Sequence, residues 1–87
     1  MSETPFKKVL CTSHEKEYEI RVYKRDDGYR VITYRDDQPA FDHGYFCSYE
    51  DDATYKNKFG KHGWERLLHC AKADLSGKKI YRVNPVA

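Results

Sequence analysis

Two cysteines and two histidines in the first half of the chain have a spacing that could bind a metal ion. Two residues separate Cys11 from His14, and three separate His43 from Cys47. Two thiolates and two imidazoles in paired spacing can hold tetrahedral zinc. The usual zinc finger has one pair of cysteines and one pair of histidines, whereas here each pair contains one cysteine and one histidine. In addition, residues three apart on a strand point to opposite faces. We therefore expect no cofactor, with zinc at Cys11, His14, His43 and Cys47 as the less favoured alternative.

Catalytic chemistry is the second possibility, and the residue pattern does not support it. A cysteine nucleophile needs an oriented base beside it. His69 and Cys70 are adjacent, so on a helix their side chains would point about 100° apart. The sequence contains no G-x-S-x-G, no HExxH and no phosphate-binding glycine loop. The acidic pairs also lack the spacing of a calcium loop. The sequence predicts a protein that is not an enzyme.

Basic and aromatic residues alternate with aliphatic ones in "RVYKRDDGYRVITYR", residues 21 to 35. This pattern predicts two antiparallel strands around a turn at "DDG". A two-residue loop, Asp27-Gly28, would set Val22 opposite Thr33, and a three-residue loop that begins at Asp26 sets Val22 opposite Ile32. The apolar pattern favours the three-residue loop, because a one-residue slip moves a whole strand to the other face. The predicted core face carries Ile20, Val22, Ile32 and Tyr34, and the opposite face carries Arg21, Tyr23, Arg25, Tyr29, Val31 and Thr33.

The predicted opposite face is suited to binding a large partner. Arginine and tyrosine are enriched at protein interfaces, and aromatic, basic sheet faces also stack bases and contact phosphates. The predicted partner is a protein or ribonucleoprotein complex, and nucleic acid is the alternative. The predicted partner-binding residues are Arg21, Tyr23, Arg25 and Tyr29, aided by Lys56, Lys58 and Lys61.

Charge is unevenly distributed along the chain. Residues 1–52 hold eight Lys/Arg and twelve Asp/Glu, a net charge of −4, whereas residues 53–87 hold eight Lys/Arg and two acidic residues, a net charge of +6. Such a split can mark an interaction surface. An acidic patch from the first part could bind a basic groove of a partner, and the basic C-terminal third could contact nucleic acid.

The element pattern predicts a small two-layer α+β domain. Strands are expected at about 6–12, 17–25, 29–36 and 43–49, after a loose end at 1–5. A short helix is expected at about 51–59 and a main helix at about 63–75, because apolar residues from Trp64 to Leu75 recur at helical spacing. We expect residues 78–83 to form a strand or an extended tail. The fold class is therefore α+β: a single domain over 1–87, with a mostly antiparallel sheet of three to five strands and one main C-terminal helix packed on one face.

Composition favours a soluble cytoplasmic protein without a membrane contact, either monomer or dimer. The chain has no apolar run long enough to cross a bilayer and no signal segment at its start. Three cysteines are an odd number, which does not indicate a disulfide framework. In its size and its lack of a catalytic motif, the chain resembles small phage accessory proteins, including inhibitors of bacterial immune complexes such as anti-CRISPR proteins. This resemblance, which no residue pattern carries, implies an inhibitor or modulator of a host complex.

Overall fold

Antiparallel strands form one sheet in the computed structural model, which describes residues 3–76 of the chain. The strands are β1 (Lys7–Ser13), β2 (Lys16–Arg25), β3 (Gly28–Arg35), β4 (Gln38–Pro39) and β5 (Tyr45–Ser48). β2 lies between β1 and β3, and β4 and β5 both pair with β3 at different points along it. Pro39 lies in the two-residue β4, as expected for a residue that cannot donate a ladder hydrogen bond.

Two-residue turns close the β1–β2 and β3–β4 hairpins. His14 and Glu15 have φ values of 52° and 64°, and Asp36 and Asp37 have φ values of 52° and 63°. Positive φ at both central residues matches the twist of the flanking strands, which is why such turns dominate tight hairpins. The second turn carries two carboxylates past the end of β3, where one of them reaches back to β2.

The register between β2 and β3 differs from the predicted one. Arg25 pairs with Gly28 across a two-residue loop, so Val22 lies opposite Val31 and Ile20 opposite Thr33. Gly28 belongs to the strand and not to the loop because β5 passes close to it. A Cβ there would lie 2.7 Å from the Ser48 Cα and would collide with the Cys47 carbonyl oxygen. The predicted three-residue loop was therefore wrong.

The core lies between one face of the sheet and the helices. Ile20, Val22 and Val31 are almost fully buried, and Tyr29 and Thr33 point to the same side. The prediction that placed Tyr29, Val31 and Thr33 opposite the core was wrong, and so was the one that placed Ile32 and Tyr34 in it. Both errors follow from the register. The remaining core residues are Tyr45, Trp64, Leu68, Ala71 and Leu75.

Two helices form the second layer, close to the predicted bounds: α1 (Tyr49–Phe59) and α2 (Gly63–Leu75). Ser48 caps α1 by accepting a hydrogen bond from the Asp51 backbone N–H at 3.1 Å, and α1 ends at Gly60 with φ 74°. The buried Asp52 carboxylate joins the helices, because it contacts His62 Nδ1 at 2.9 Å and accepts from the Trp64 N–H at 3.2 Å.

The α+β class, the mostly antiparallel sheet and the C-terminal helix are confirmed. The predicted strand or tail at 78–83 lies outside the described residues. Neither α1 nor α2 has both the length and the apolar character that a helix needs to span a bilayer.

Candidate functional site

The candidate site is the face of the sheet opposite the helices, which we call the outer face. Side chains of alternate residues in β2 point to this face, while Ile20 and Val22 point inward, as predicted. Strand pairing places Leu10 beside Glu19 and Glu19 beside Tyr34. The outer face includes Lys8, Leu10, Glu17, Glu19, Arg21, Tyr23, Arg25, Arg30, Ile32, Tyr34 and Phe46.

Arg21 is held rigidly at the centre of the outer face. Its guanidinium lies 4.0 Å from the centroid of the Tyr34 ring. Nε donates to a Glu19 carboxylate oxygen at 2.6 Å, and Nη2 donates to Asp37 Oδ1 at 2.5 Å. Hydrogen bonds to the Tyr23 hydroxyl, Asp37 and Glu19 raise the pKa of Arg21. The arginine is therefore a fixed cation whose charge neighbouring carboxylates already balance.

Tyr23 lies on the outer face as predicted, but its neighbours cover it. Only 4% of the residue is exposed. Its ring meets the Tyr34 ring edge to face at 6.4 Å, and the Arg25 guanidinium lies 5.4 Å from its centroid. Arg25 is fixed in turn by Glu3, at 2.8 Å. Tyr23 therefore packs beneath the side chains of Tyr34 and Arg25 and offers little surface to a partner.

A shallow depression on the outer face combines an exposed apolar side chain with excess negative charge. Its volume is about 280 Å³. Leu10 is 79% exposed. One cation stands against four carboxylates in the lining, so the depression has a net charge of −3. The residues concerned are Leu10, Glu17, Glu19, Arg21, Tyr34, Asp36 and Asp37.

The structure divides the predicted partner-binding residues between the two layers. Arg21, Tyr23 and Arg25 lie on the outer face. Tyr29 does not, because it packs in the core with its ring 6.3 Å from Trp64. Lys56 and Lys58 lie on α1 and Lys61 follows it, so the three lysines belong to the helical layer.

Sequence reasoning missed Leu10, although the chain carries a signal for it. Val9, Leu10 and Cys11 are consecutive apolar residues in one strand. Because successive side chains alternate between faces, a sheet with one covered face cannot bury all three. Val9 and Cys11 pack against the core, and Leu10 is left in solvent.

The candidate zinc ligands are not brought together. Within residues 3–76, no three His, Cys, Asp or Glu side chains are grouped so that they could hold a metal ion. Cys11 lies on β1, and His14 lies in the turn that follows it. His43 Nε2 contacts Asp74 Oδ2 at 3.0 Å, and the Tyr45 hydroxyl donates to the same oxygen at 2.6 Å.

Cys47 is poorly suited to nucleophilic chemistry. Burial, assisted by the charges of Asp52 and Asp51, raises the pKa of its thiol to about 11. The thiolate is the reactive form, so at neutral pH almost all of this cysteine is in the unreactive state.

No protein-family model matches the chain, and neither the curated proteins nor the solved structures give a match. Its function is therefore inferred from its own surfaces.

Proposed function

We propose that this protein is a non-enzymatic binding protein that docks on a basic surface of a protein partner through its outer face. One observation carries the proposal: the depression around Leu10 joins an exposed apolar side chain to a net charge of −3. Protein interfaces usually combine apolar contact area with polar and charged groups at the rim.

The charges of the outer face favour a basic protein over a nucleic acid. Arg21, Arg25 and Arg30 each bind a carboxylate, at 2.5, 2.8 and 2.8 Å in turn. A phosphate would have to displace these carboxylates and would also approach the four carboxylates that line the depression. Lysine or arginine side chains of a protein partner would instead meet an attractive field, which also raises the association rate.

Stacking of arginine side chains on aromatic rings holds part of the outer face in place before a partner binds. Arg21 lies over Tyr34, and the Arg30 guanidinium lies 4.6 Å from the centroid of the Phe46 ring. Side chains fixed before binding lose less conformational entropy when the complex forms. In its narrower form, the proposal is an inhibitor or modulator: a chain of 87 residues that acts by occupying a surface of a larger complex.

The test compares two exposed apolar residues on opposite layers. Leu10 is 79% exposed on the outer face, and Phe59 is 60% exposed on α1. Tagged wild type, Leu10→Asp and Phe59→Asp are used to capture partners from a nuclease-treated lysate of the source cells. We expect wild type and Phe59→Asp to retain one basic protein and Leu10→Asp to lose it, because a carboxylate replaces the apolar contact.

Circular dichroism shows that each variant is folded before its capture is compared. Capture that survives Leu10→Asp, or that disappears on nuclease treatment of the wild-type sample, contradicts the proposal. Charge reversal at Arg21 is less informative, because a new carboxylate beside Glu19 and Asp37 would itself destabilise the fold.

A further inference from the structure

A second surface lies in the helical layer, on the other side of the sheet from the outer face. It is a groove of about 480 Å³ between β1, α1 and α2, which we call the helical groove. The residues that matter in its lining are Lys7, Tyr55, Lys61, Trp64, Arg66 and Lys72. Of these, only Lys61 was among the predicted partner-binding residues.

Among the residues that the structure describes, no carboxylate is paired with the cations of the helical groove. Lys7, Lys61, Arg66 and Lys72 form no ion pair within residues 3–76. Glu65, the acidic residue of the lining, accepts a hydrogen bond at 2.8 Å from the His62 backbone N–H, at the start of α2. With His69 neutral, the lining has a net charge of +3, opposite in sign to the outer depression.

Aromatic rings accompany these cations. Lys7 Nζ lies 5.4 Å from the Trp64 ring centroid, and the Arg66 guanidinium lies 5.8 Å from that of Tyr55. The centroids of the Phe59 and Tyr55 rings are 4.6 Å apart, and Phe59 is 60% exposed. Cations that follow a phosphate backbone, next to rings on which bases stack, are the two components of single-strand binding sites.

We propose that the helical groove binds single-stranded nucleic acid, with phosphates at Lys61, Arg66 and Lys72 and bases against Phe59 and Tyr55. A duplex fits less well, because its stacked bases cannot reach the rings. An acidic peptide would use the cations but not the rings of Tyr55 and Phe59.

Fluorescence anisotropy with a labelled oligothymidylate and a labelled oligouridylate of about 12 nucleotides tests this site. The groove variant is Lys61→Gln with Arg66→Gln and Lys72→Gln. The charge-matched control is Lys8→Gln with Lys16→Gln and Lys24→Gln, three exposed lysines of the sheet. At about 50 mM salt we expect the groove variant to bind at least about tenfold more weakly than wild type and the control to bind within about twofold of it.

Salt dependence and the ring pair provide independent measurements. Each phosphate contact on a single strand contributes about 0.7 to the slope of log affinity against log salt, so the groove variant should lose about 2 from the slope. Phe59→Ala should weaken binding by about tenfold, because one stacked base is lost, whereas Leu10→Asp should leave it unchanged.

The proposal is overturned if wild type does not bind the oligonucleotides, if both triple variants weaken binding equally, or if an oligoglutamate peptide or a duplex competes as well as the single strand. These results concern the helical groove alone. The capture experiment at Leu10 is done after nuclease treatment, so either proposal can fail without the other.

Discussion

Replacing Val31 and Ile32 by alanine, one at a time, tests which side of β3 faces the core. Val31 is 1% exposed and lies opposite Val22. The loss of two buried carbons should lower the free energy of unfolding by about 1.6 kcal/mol. The cavity left in the core raises this loss of stability to about 2–3 kcal/mol. Ile32 loses one more carbon in the same exchange, but on the partly exposed outer face water fills the space. We therefore expect the Ile32→Ala cost to be only about 1 kcal/mol.

Urea unfolding, followed by far-UV circular dichroism and by Trp64 fluorescence, measures both free energies of unfolding. Val31→Ala removes fewer atoms than Ile32→Ala, but it should lower the free energy of unfolding more. The dependence of that free energy on urea concentration should be the same for both variants. The register predicted from the sequence gives the reverse order, because it buries Ile32 and exposes Val31. An Ile32→Ala variant less stable than Val31→Ala would refute the observed pairing of β2 with β3 and the composition of the outer face.

The remaining predictions concern two glycines, one turn and one thiol. Gly28→Ala should destabilise the fold by at least about 2 kcal/mol, because its Cβ would collide with the β5 backbone. Gly60→Ala, where φ is also positive but nothing lies within 4 Å, should cost only about 1 kcal/mol; equal losses on urea unfolding would contradict the close approach of β5. Glu15→Gly should stabilise by about 0.5–1 kcal/mol, because it relieves a positive φ of 64°, and a lower melting temperature would argue against this turn. In a Cys11→Ser, Cys70→Ser background, the iodoacetamide rate of Cys47 should rise with a midpoint near pH 11. Because the folded-state pKa of Cys47 is raised, its contribution to stability is complete below the pKa of an exposed thiol and is lost as pH rises toward 11. A midpoint near the value of an exposed thiol would show that Cys47 is not buried.

Much of the fold follows from local patterns in the sequence. The stripe from Trp64 to Leu75 requires a helix with one buried face, and the alternation from Tyr18 to Val22 requires a strand. Ser48 begins α1 and Gly60 ends it, as their types favour. These features are local, so neighbouring residues alone are enough to predict them.

The β2–β3 register was not predictable in the same way. Apolar residues occur at both parities of β3, with Tyr29 and Val31 on one side and Ile32 and Tyr34 on the other. The choice depends on where β5 passes Gly28, which is a contact between residues about 20 positions apart.

The site was predicted only in part for the same reason. Alternation correctly placed Arg21, Tyr23 and Arg25 on one face. The acidic depression depends on the β3–β4 turn, which brings Asp37 to Arg21 across 16 positions of sequence. The separation of −4 and +6 along the chain anticipates the acidic outer depression and the basic helical groove, although it does not identify either surface.

Photo-crosslinking from position 10 tests the proposed docking of the outer face most directly. A photoreactive phenylalanine analogue replaces Leu10 in one variant and Phe59 in a second, and both are irradiated in nuclease-treated lysate. We expect position 10 to form one discrete adduct with a protein whose crosslinked surface is basic, and position 59 not to form it. An adduct from position 59 alone, or an acidic crosslinked surface at position 10, would contradict the assignment of the outer face.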